Sequence, residues 1–368
     1  MTDLVYLDHN ATSPLLPEVL EAMRPWLGVP ANPSSAHRAG QRAAVAVEQA
    51  REHVAALVGG APAGVVFTSG ATEANHTFLR GAGAATIACS GIEHPSVIAA
   101  VRASGARRVE LPVDGLGRVR CVADEADVVS LMAANHETGV LQDLDAARAL
   151  AGRLGARVHV DATQAAGRAP LELAWADGVV LSSHKLGGPG GVGALVLRDG
   201  DPFPPLLGGG SQERGRRAGT VHTAGVVGFG EACRLARLEL EARRARWARQ
   251  SARLRAGLRA LGGRLVGDPE RLLPNTTCVV FQGIPGESLV QALDLRGICV
   301  SSGAACASGS LEPSPVLLAM GDPEPGGGLR VSLGPRTTDD EVDALLAALP
   351  QVLELARISD PAWGDGPG

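Results

Sequence analysis

Lysine is almost absent from this 368-residue chain: of its 34 lysines and arginines, one alone, Lys185, is a lysine. Arginine takes over surface cation duties easily, but it cannot shed its proton near neutral pH and attack a carbonyl as an amine. A lysine that survives alone is a candidate for imine chemistry, against the bland alternative of a surface lysine left by chance. Aromatic residues are scarce too, at 3%, so the 45% hydrophobic content must build its cores mainly from Ala, Val and Leu. No apolar run approaches the ~18–20 residues that cross a bilayer. The start, Met1-Thr-Asp-Leu-Val-Tyr6, has neither the basic nor the apolar region of a signal peptide. A net charge of −5 offers no general attraction to nucleic acid or to an anionic membrane. The six cysteines (Cys89, Cys121, Cys233, Cys278, Cys299 and Cys306) contain no CxxC pair. In a chain this long they read as reduced cytoplasmic thiols rather than a disulfide framework.

What is present alternates. Val65–Thr68, Thr86–Ala88, Val128–Ala133, Val158–Val160, Val179–Leu181 and Ala194–Leu197 read as short strands separated by helical stretches, which predicts a mostly parallel sheet covered by helices. Helices are expected over Pro17–Leu27 and Gln41–Val58, the latter stopped by Gly59-Gly60. One long Arg-rich helix is expected over residues 229–261, linking two domains with a solvated face. A second α/β block has strands near Cys278–Phe281 and Leu329–Ser332, and Thr338-Asp-Asp-Glu341 reads as a capping box opening the last helix. The Pro/Gly/Asp-rich tail from Ser359 reads as disordered.

Lys185 falls in Gly178-Val-Val-Leu-Ser-Ser-His-Lys185-Leu-Gly-Gly, at the C-terminal end of a strand, where open α/β sheets hold ligands. A second strand, Arg157-Val-His-Val-Asp161, ends in an acid. A lysine that can form a Schiff base with an aldehyde, beside a carboxylate that can keep a pyridine nitrogen protonated, suits pyridoxal 5'-phosphate. Gly70-Ala71-Thr72, between a strand and a helix, offers backbone N–H groups, a helix dipole and a hydroxyl to a phosphate; an ordinary capped helix start is the alternative. Gly188-Pro-Gly-Gly-Val-Gly193 fits the dinucleotide pattern GxGxxG, but it precedes a strand rather than a helix and so reads as a turn.

At these residues the chain resembles the cysteine desulfurases (NifS- and IscS-like) of the class V aminotransferase group of fold-type I pyridoxal-phosphate enzymes. The resemblance spans roughly residues 4–357 and rests on motifs in the family's order: Tyr6-Leu-Asp-His-Asn10-Ala-Thr, Asn32-Pro-Ser-Ser-Ala-His37, Thr68-Ser-Gly-Ala-Thr-Glu73, Glu93-His94, Asp161-Ala-Thr-Gln164, Ser182-Ser-His-Lys185, Arg217-Ala-Gly-Thr220, Ser301-Ser-Gly-Ala-Ala-Cys306 and Leu329-Arg-Val-Ser-Leu-Gly334. It implies an α/β fold of the fold-type I pyridoxal-phosphate transferases. A large domain, residues 16–245, would carry a mostly parallel seven-stranded sheet. Residues 1–15 and 246–358 would form a smaller α/β domain bearing the cysteine loop.

It also implies roles. Lys185, His94 and Cys306 would be catalytic, with His94 stacking on the cofactor ring and moving protons. Gly70, Ala71, Thr72, His136, Asp161, Gln164, Ser182 and His184 would hold the cofactor, Gln164 at its phenolic oxygen. Thr220 would reach the phosphate from the partner subunit of a homodimer with shared active sites. Arg330, His136 and Asn10 would bind the substrate, the Arg330 fork matching an α-carboxylate. Cys306, in a run of tiny residues, would take sulfur from L-cysteine as a persulfide, leaving alanine, and pass it to acceptor proteins such as an iron–sulfur scaffold or a tRNA-thiolation protein. No metal, direct nucleic-acid contact or membrane partner is expected. The chain departs from the family at His136, where asparagine is usual, and at Ala304, where serine is common; Gly321–Gly328 is shorter and richer in Gly and Pro. Rival readings are a selenocysteine lyase or related β-lyase, a class V aminotransferase, and a catalytically silent sulfur-transfer partner. A zinc enzyme is disfavoured by the lack of metal-spaced pairs.

Overall fold

The computed structural model describes residues 4–198, 203–303 and 313–359. After a short strand β1 (Val5–Tyr6) come helices α1 (Pro17–Leu27) and α2 (Arg38–Leu57). An alternating unit follows: β2 (Val65–Thr68), α3 (Ala71–Gly81), β3 (Thr86–Ser90), α4 (Pro95–Ser104), β4 (Arg107–Leu111), β5 (Val128–Met132), α5 (Leu144–Leu154), β6 (Arg157–Asp161), β7 (Gly178–Ser182) and β8 (Gly193–Leu197). These seven strands form one sheet in the order β2-β8-β7-β6-β5-β3-β4. From β7 to β4 all neighbours are parallel, while β8 runs antiparallel to both β7 and β2. The inner strands β5, β7 and β8 are buried along their whole length, which is why they read as continuous apolar runs rather than as alternation. Successive residues still face opposite helix layers. Val66, Ile87, Val128 and Val180 pack with α3 and α4, while Val65, Ala88, Val129 and Val179 pack with α2, α5 and α6 (Thr223–Leu238). The edge strand β4, Arg-Arg-Val-Glu-Leu, was not legible as a strand because its charged side chains face solvent.

The expected single helix over 229–261 is two. α6 ends at Leu238 and α7 (Leu240–Ala260) starts afresh, with Glu239 between them near φ −96°, ψ 3°. The break coincides with a change of core. α6 buries Val226, Phe229 and Cys233 against the large sheet, whereas α7 buries Trp247, Leu254 and Leu258 against the second core. A straight helix could not serve both. Nor is its arginine face wholly solvated: Arg243 is buried and pairs with Glu239 at 3.0 Å.

The second core is built on an antiparallel sheet of β9 (Arg264–Val266), β10 (Thr276–Val280) and β12 (Gly328–Ser332), in the order β12-β10-β9, with α8 (Gly286–Asp294) and α10 (Asp339–Ser359) packed on it. β11 (Ile298–Cys299) pairs in parallel with β1, and α9 (Pro315–Ala319) precedes β12. The two cores support a two-domain division, whose border we propose at the α6–α7 break. The capping box forms, Thr338 N donating to Glu341 Oε2 at 2.7 Å and Glu341 N to Thr338 Oγ1 at 3.2 Å. Ser359, expected in a disordered tail, is the last residue of α10; the remainder of that tail lies outside the described residues. Among the described residues no helix is long and apolar enough to cross a membrane.

Residues 7–16 form a strap from the second core, which holds Leu7, to the core of the large sheet, which holds Leu16. His9 N donates to Ser332 O, Ser13 N to His184 O at 2.9 Å and Leu16 N to Gly187 O at 2.9 Å. The strap therefore crosses the carboxyl ends of β6 and β7.

Candidate active site

The parallel strands β3, β5, β6 and β7 all end at one edge, and each delivers a polar residue there. Beyond β3 comes His94, beyond β5 His136, at the end of β6 Asp161, and beyond β7 a single 3₁₀ turn, Ser183–Lys185. His94, His136, Asp161 and Lys185 line a cavity of about 450 Å³ together with Asn10, Gly70, Ala71, Thr72, Gln164, Ser182, His184 and Arg330. That size is in the range of small-molecule sites. Thr220 is exposed and outside this lining, and Cys306 lies outside the described residues.

Each wall has its own physical cause. α3 starts at the cavity with Gly70 as its N-cap, and no side chain caps it. Gly70 has φ 154°, a conformation L side chains rarely adopt, and a Cβ on Gly193 of β8 would lie 2.7 Å from the Gly70 backbone. Two glycines thus let the strand, turn and helix start pack closely and leave first-turn N–H groups open to the cavity, as an anion requires.

Asp161 is buried, and both its oxygens are held. Thr163 N donates to Oδ1 at 3.0 Å and Asn75 Nδ2 to Oδ2 at 3.0 Å. Asn75 also donates to Ser96 Oγ at 2.9 Å. Sequence reasoning missed it; the signal was a polar residue on the apolar face of α3, between Ala74 and Phe78.

His94 caps α4. Its Nδ1 accepts from Ser96 N at 3.1 Å, so the proton of the neutral ring is on Nε2. Burial lowers its pKa and Lys185 adds to the effect, while Asp161 opposes it. The His136 ring stands edge-on to His94, centroids 5.7 Å apart. Burial pushes His136 well below the usual imidazole range, reinforced by His94, Arg330 and Lys185. Both rings are thereby neutral at pH 7. His184 is also held down to about 4, by burial and then by Lys185 and Arg168, and its Nδ1 lies 3.1 Å from Thr12 Oγ1.

Lys185 Nζ donates to the strap carbonyls of Asn10 and, at 2.6 Å, Ala11. Gln164 Nε2 donates to Asn10 O at 3.1 Å. Asn10 Nδ2 in turn reaches His136 O at 3.2 Å and Thr276 Oγ1 at 3.1 Å. Arg330 is buried. Its Nη2 donates to Asp8 Oδ1 at 2.7 Å and its Nη1 to His136 O at 3.0 Å.

A family model for class-V aminotransferases matches residues 5–345. The chain is 45% identical to a cysteine desulfurase of Cereibacter sphaeroides, the match covering 97% of this chain and 97% of that one.

The chain belongs to the class-V aminotransferase family, among its cysteine desulfurases.

Another member, cysteine desulfurase NifS of Azotobacter vinelandii, is 38% identical over 99% of this chain and 96% of its own. Among solved structures, a NifS-like protein superposes with a TM-score of 0.89 at 34% identity, covering 96% of this chain and all of that one. The apo cysteine desulfurase of Thermococcus onnurineus NA1 superposes with a TM-score of 0.85 at 25% identity over 95% of each chain. The α/β architecture with its mostly parallel sheet is thus the family's fold.

Proposed function

We propose that this cavity holds pyridoxal 5'-phosphate and that the enzyme converts L-cysteine to L-alanine, the sulfur leaving through Cys306. The observation that carries the reading is the convergence on one cavity of Lys185, Asp161 and the uncapped start of α3. An amine, a buried carboxylate and an anion site on three separate walls fit the aldehyde, the ring nitrogen and the phosphate of that cofactor. When bound, the cofactor supplies an electron sink beside the α-carbon of an amino acid.

The chain's own residues do the rest. Asn75 and Thr163 keep the Asp161 oxygens aimed by hydrogen bonding. Ser182 and His184 flank Lys185 on the phosphate side, and Gln164 serves the ring's oxygen. Neutral His94 presents Nε2 for proton traffic at the substrate. Arg330 takes the substrate carboxylate with Asn10 and His136 around it. The Cys306 thiolate attacks the substrate sulfur: the Cβ–S bond breaks, an S–S bond forms, and a proton on Cβ completes alanine. A second copy of the chain contributes its Thr220 to the phosphate site, making a homodimer with shared sites. The sulfane sulfur then passes to acceptor proteins, iron–sulfur scaffolds or tRNA-thiolation proteins being the class. The five described cysteines are free thiols, which supports a reducing, cytoplasmic setting.

The test is alanine formation from L-cysteine with a reductant present, in wild type, Lys185→Ala and Cys306→Ala. Turnover in wild type alone supports the reading. A Cys306→Ala enzyme that keeps most of its activity, or a wild type that works mainly on selenocysteine, replaces it with a lyase.

A further inference from the structure

Four arginines are buried among the described residues: Arg51, Arg168, Arg243 and Arg330. Three are matched to carboxylates, Arg51 to Glu213 at 2.9 Å, Arg243 to Glu239 at 3.0 Å and Arg330 to Asp8 at 2.7 Å. Arg168 is matched to none. Its fork meets four oxygens, all of them neutral. Nη1 donates to Gln164 O at 3.0 Å and to Gln164 Oε1. Nη2 donates to His9 O at 3.1 Å and Lys185 O at 3.2 Å. Burying a cation without a counter-charge is unfavourable, and burial, with Arg330 nearby, lowers this guanidinium to about 9. A merely space-filling role would be met by Met or Leu at no such cost.

The four oxygens belong to three separate segments: the inter-domain strap at His9, the turn after β6 at Gln164, and the turn after β7 at Lys185. The side chain at 168 lies one turn after Gln164, so it folds back over the residue it orients. The strap carries the bond pattern onward, since the next carbonyl, Asn10 O, accepts from both Gln164 Nε2 and Lys185 Nζ.

We propose that Arg168 is a positioning residue that locks the strap, Gln164 and the Lys185 backbone into one rigid unit, through a planar fork that no other side chain reproduces. This rests on the reading of the cavity as the active site. Its cation also bears on the site's charge, as it already does at His9 and His184. Arg168 touches neither substrate nor reacting atoms; it acts through Gln164 and Lys185.

Because the natural chain has a single lysine, an amine reagent reports on Lys185 alone among the side chains of wild type and Arg168→Met, and in Arg168→Lys the peptide masses separate Lys185 from the introduced amine. The experiment compares wild type, Arg168→Met and Arg168→Lys as full-length chains. Steady-state kinetics are measured with the cofactor loaded. After cofactor removal, acetylation of Lys185 by acetic anhydride is followed against pH by peptide mass spectrometry. All variants retain the titratable and charged side chains that line the cavity with Lys185, namely Glu73, Asp161, His94, His136, His184 and Arg330. Arg168→Met is expected to lower kcat about a hundredfold, the scale of an ångström-sized misplacement. Its acetylation midpoint should move to higher pH, because a neighbouring cation is gone. Arg168→Lys should restore the midpoint but not kcat, since one ammonium cannot serve three segments. An Arg168→Met chain with unchanged midpoint and kcat, or an Arg168→Lys enzyme with wild-type kcat, overturns the proposal. If wild type makes no alanine from L-cysteine, the reaction assigned above is wrong, while the acetylation profiles still decide the role of Arg168.

Discussion

Asp8 and Arg330, 322 residues apart in the chain, are joined by a 2.7 Å ion pair across the strap. The carboxylate comes from the N-terminal segment and the guanidinium from β12, so the pair ties the strap to the small sheet beside the cavity. Arg330 Nε, buried, has no hydrogen-bond partner among the described residues. If Arg330 takes the substrate carboxylate as proposed, Asp8 is the partner that the carboxylate would displace at Nη2. Arg330→Gln removes the charge but keeps an amide. Charge-assisted hydrogen bonds contribute about 1.5–3 kcal/mol, so the KM for L-cysteine should rise by roughly 10–150-fold. Asp8→Asn, which removes the competing charge, should lower it. Steady-state alanine formation checks both, and an Arg330→Gln enzyme with unchanged KM would discard the assignment of Arg330 to the substrate.

Asn75 supports Asp161 from a position with no solvent exposure. Asn75→Ala leaves one oxygen of a buried carboxylate without its donor, a loss of about 1–3 kcal/mol. The expected outcome is a lower unfolding midpoint together with weaker retention of added pyridoxal phosphate on gel filtration. Asn75→Asp should be worse in both, because two carboxylates would then share the site. Wild-type retention in Asn75→Ala would show that Asp161 needs no such support.

The segment that carries Arg217 and Thr220 is fastened by a buried pair. Glu213 accepts from Arg51 Nη1 at 2.9 Å, Arg51 Nη2 at 3.0 Å and Phe67 N at 2.9 Å, although its own φ is +47°. Breaking one side of such a pair costs about 3–5 kcal/mol. Arg51→Met should therefore lower the urea midpoint strongly, and any dimer dependent on this segment should weaken in sedimentation. Unchanged stability would mean that water replaces the guanidinium at no cost.

The buried ionisable groups set an acid limit. His9, His159 and His184 are each held at about 4, in every case chiefly by burial, against ~6.5 in an unfolded chain. Their contribution is complete above pH ~6.5 and is lost as pH falls towards 4. Glu93 runs the other way. Burial first, and then Asp161, push it up to about 8, so its contribution is complete at low pH and is lost as pH rises through 8. Between pH ~6.5 and ~4.5 the unfolded chain binds more histidine protons, at these three positions and at His94 and His136, and the folded chain binds more carboxyl protons, at Glu93 and Glu137. The balance favours unfolding as pH falls, by about 1–2 kcal/mol per pH unit once the partial exposure of His184 is discounted. Urea midpoints at pH 7 and pH 5.5 should differ accordingly; a midpoint that is equal or higher at pH 5.5 contradicts this balance.

Much of the site was legible before any fold. Lys185 stood out by its rarity, Asp161 and Lys185 by ending apolar runs, Gly70 by lying between strand and helix. These are local signals, set by backbone conformation and residue chemistry within a few positions, and the parallel sheet brings their strand ends to one edge. The capping box at Thr338–Glu341 was legible for the same reason.

Other features have no local signature. The charges of β4 hid a strand that only its neighbour β3 stabilises. The helical pattern over 229–261 has neither proline nor glycine near Glu239, and the break follows from two cores that α6 and α7 must each cover. Asn75, Asp8 and Arg168 look like ordinary polar residues until residues 86, 322 and 159 positions away are folded against them. The amino-acid sequence by itself determined the alternating elements and the candidate residues that they present at one cavity. The tertiary structure alone decided their partners, because a buried polar group must find its hydrogen bonds wherever the packed chain supplies them, and that place is not written in the neighbouring residues.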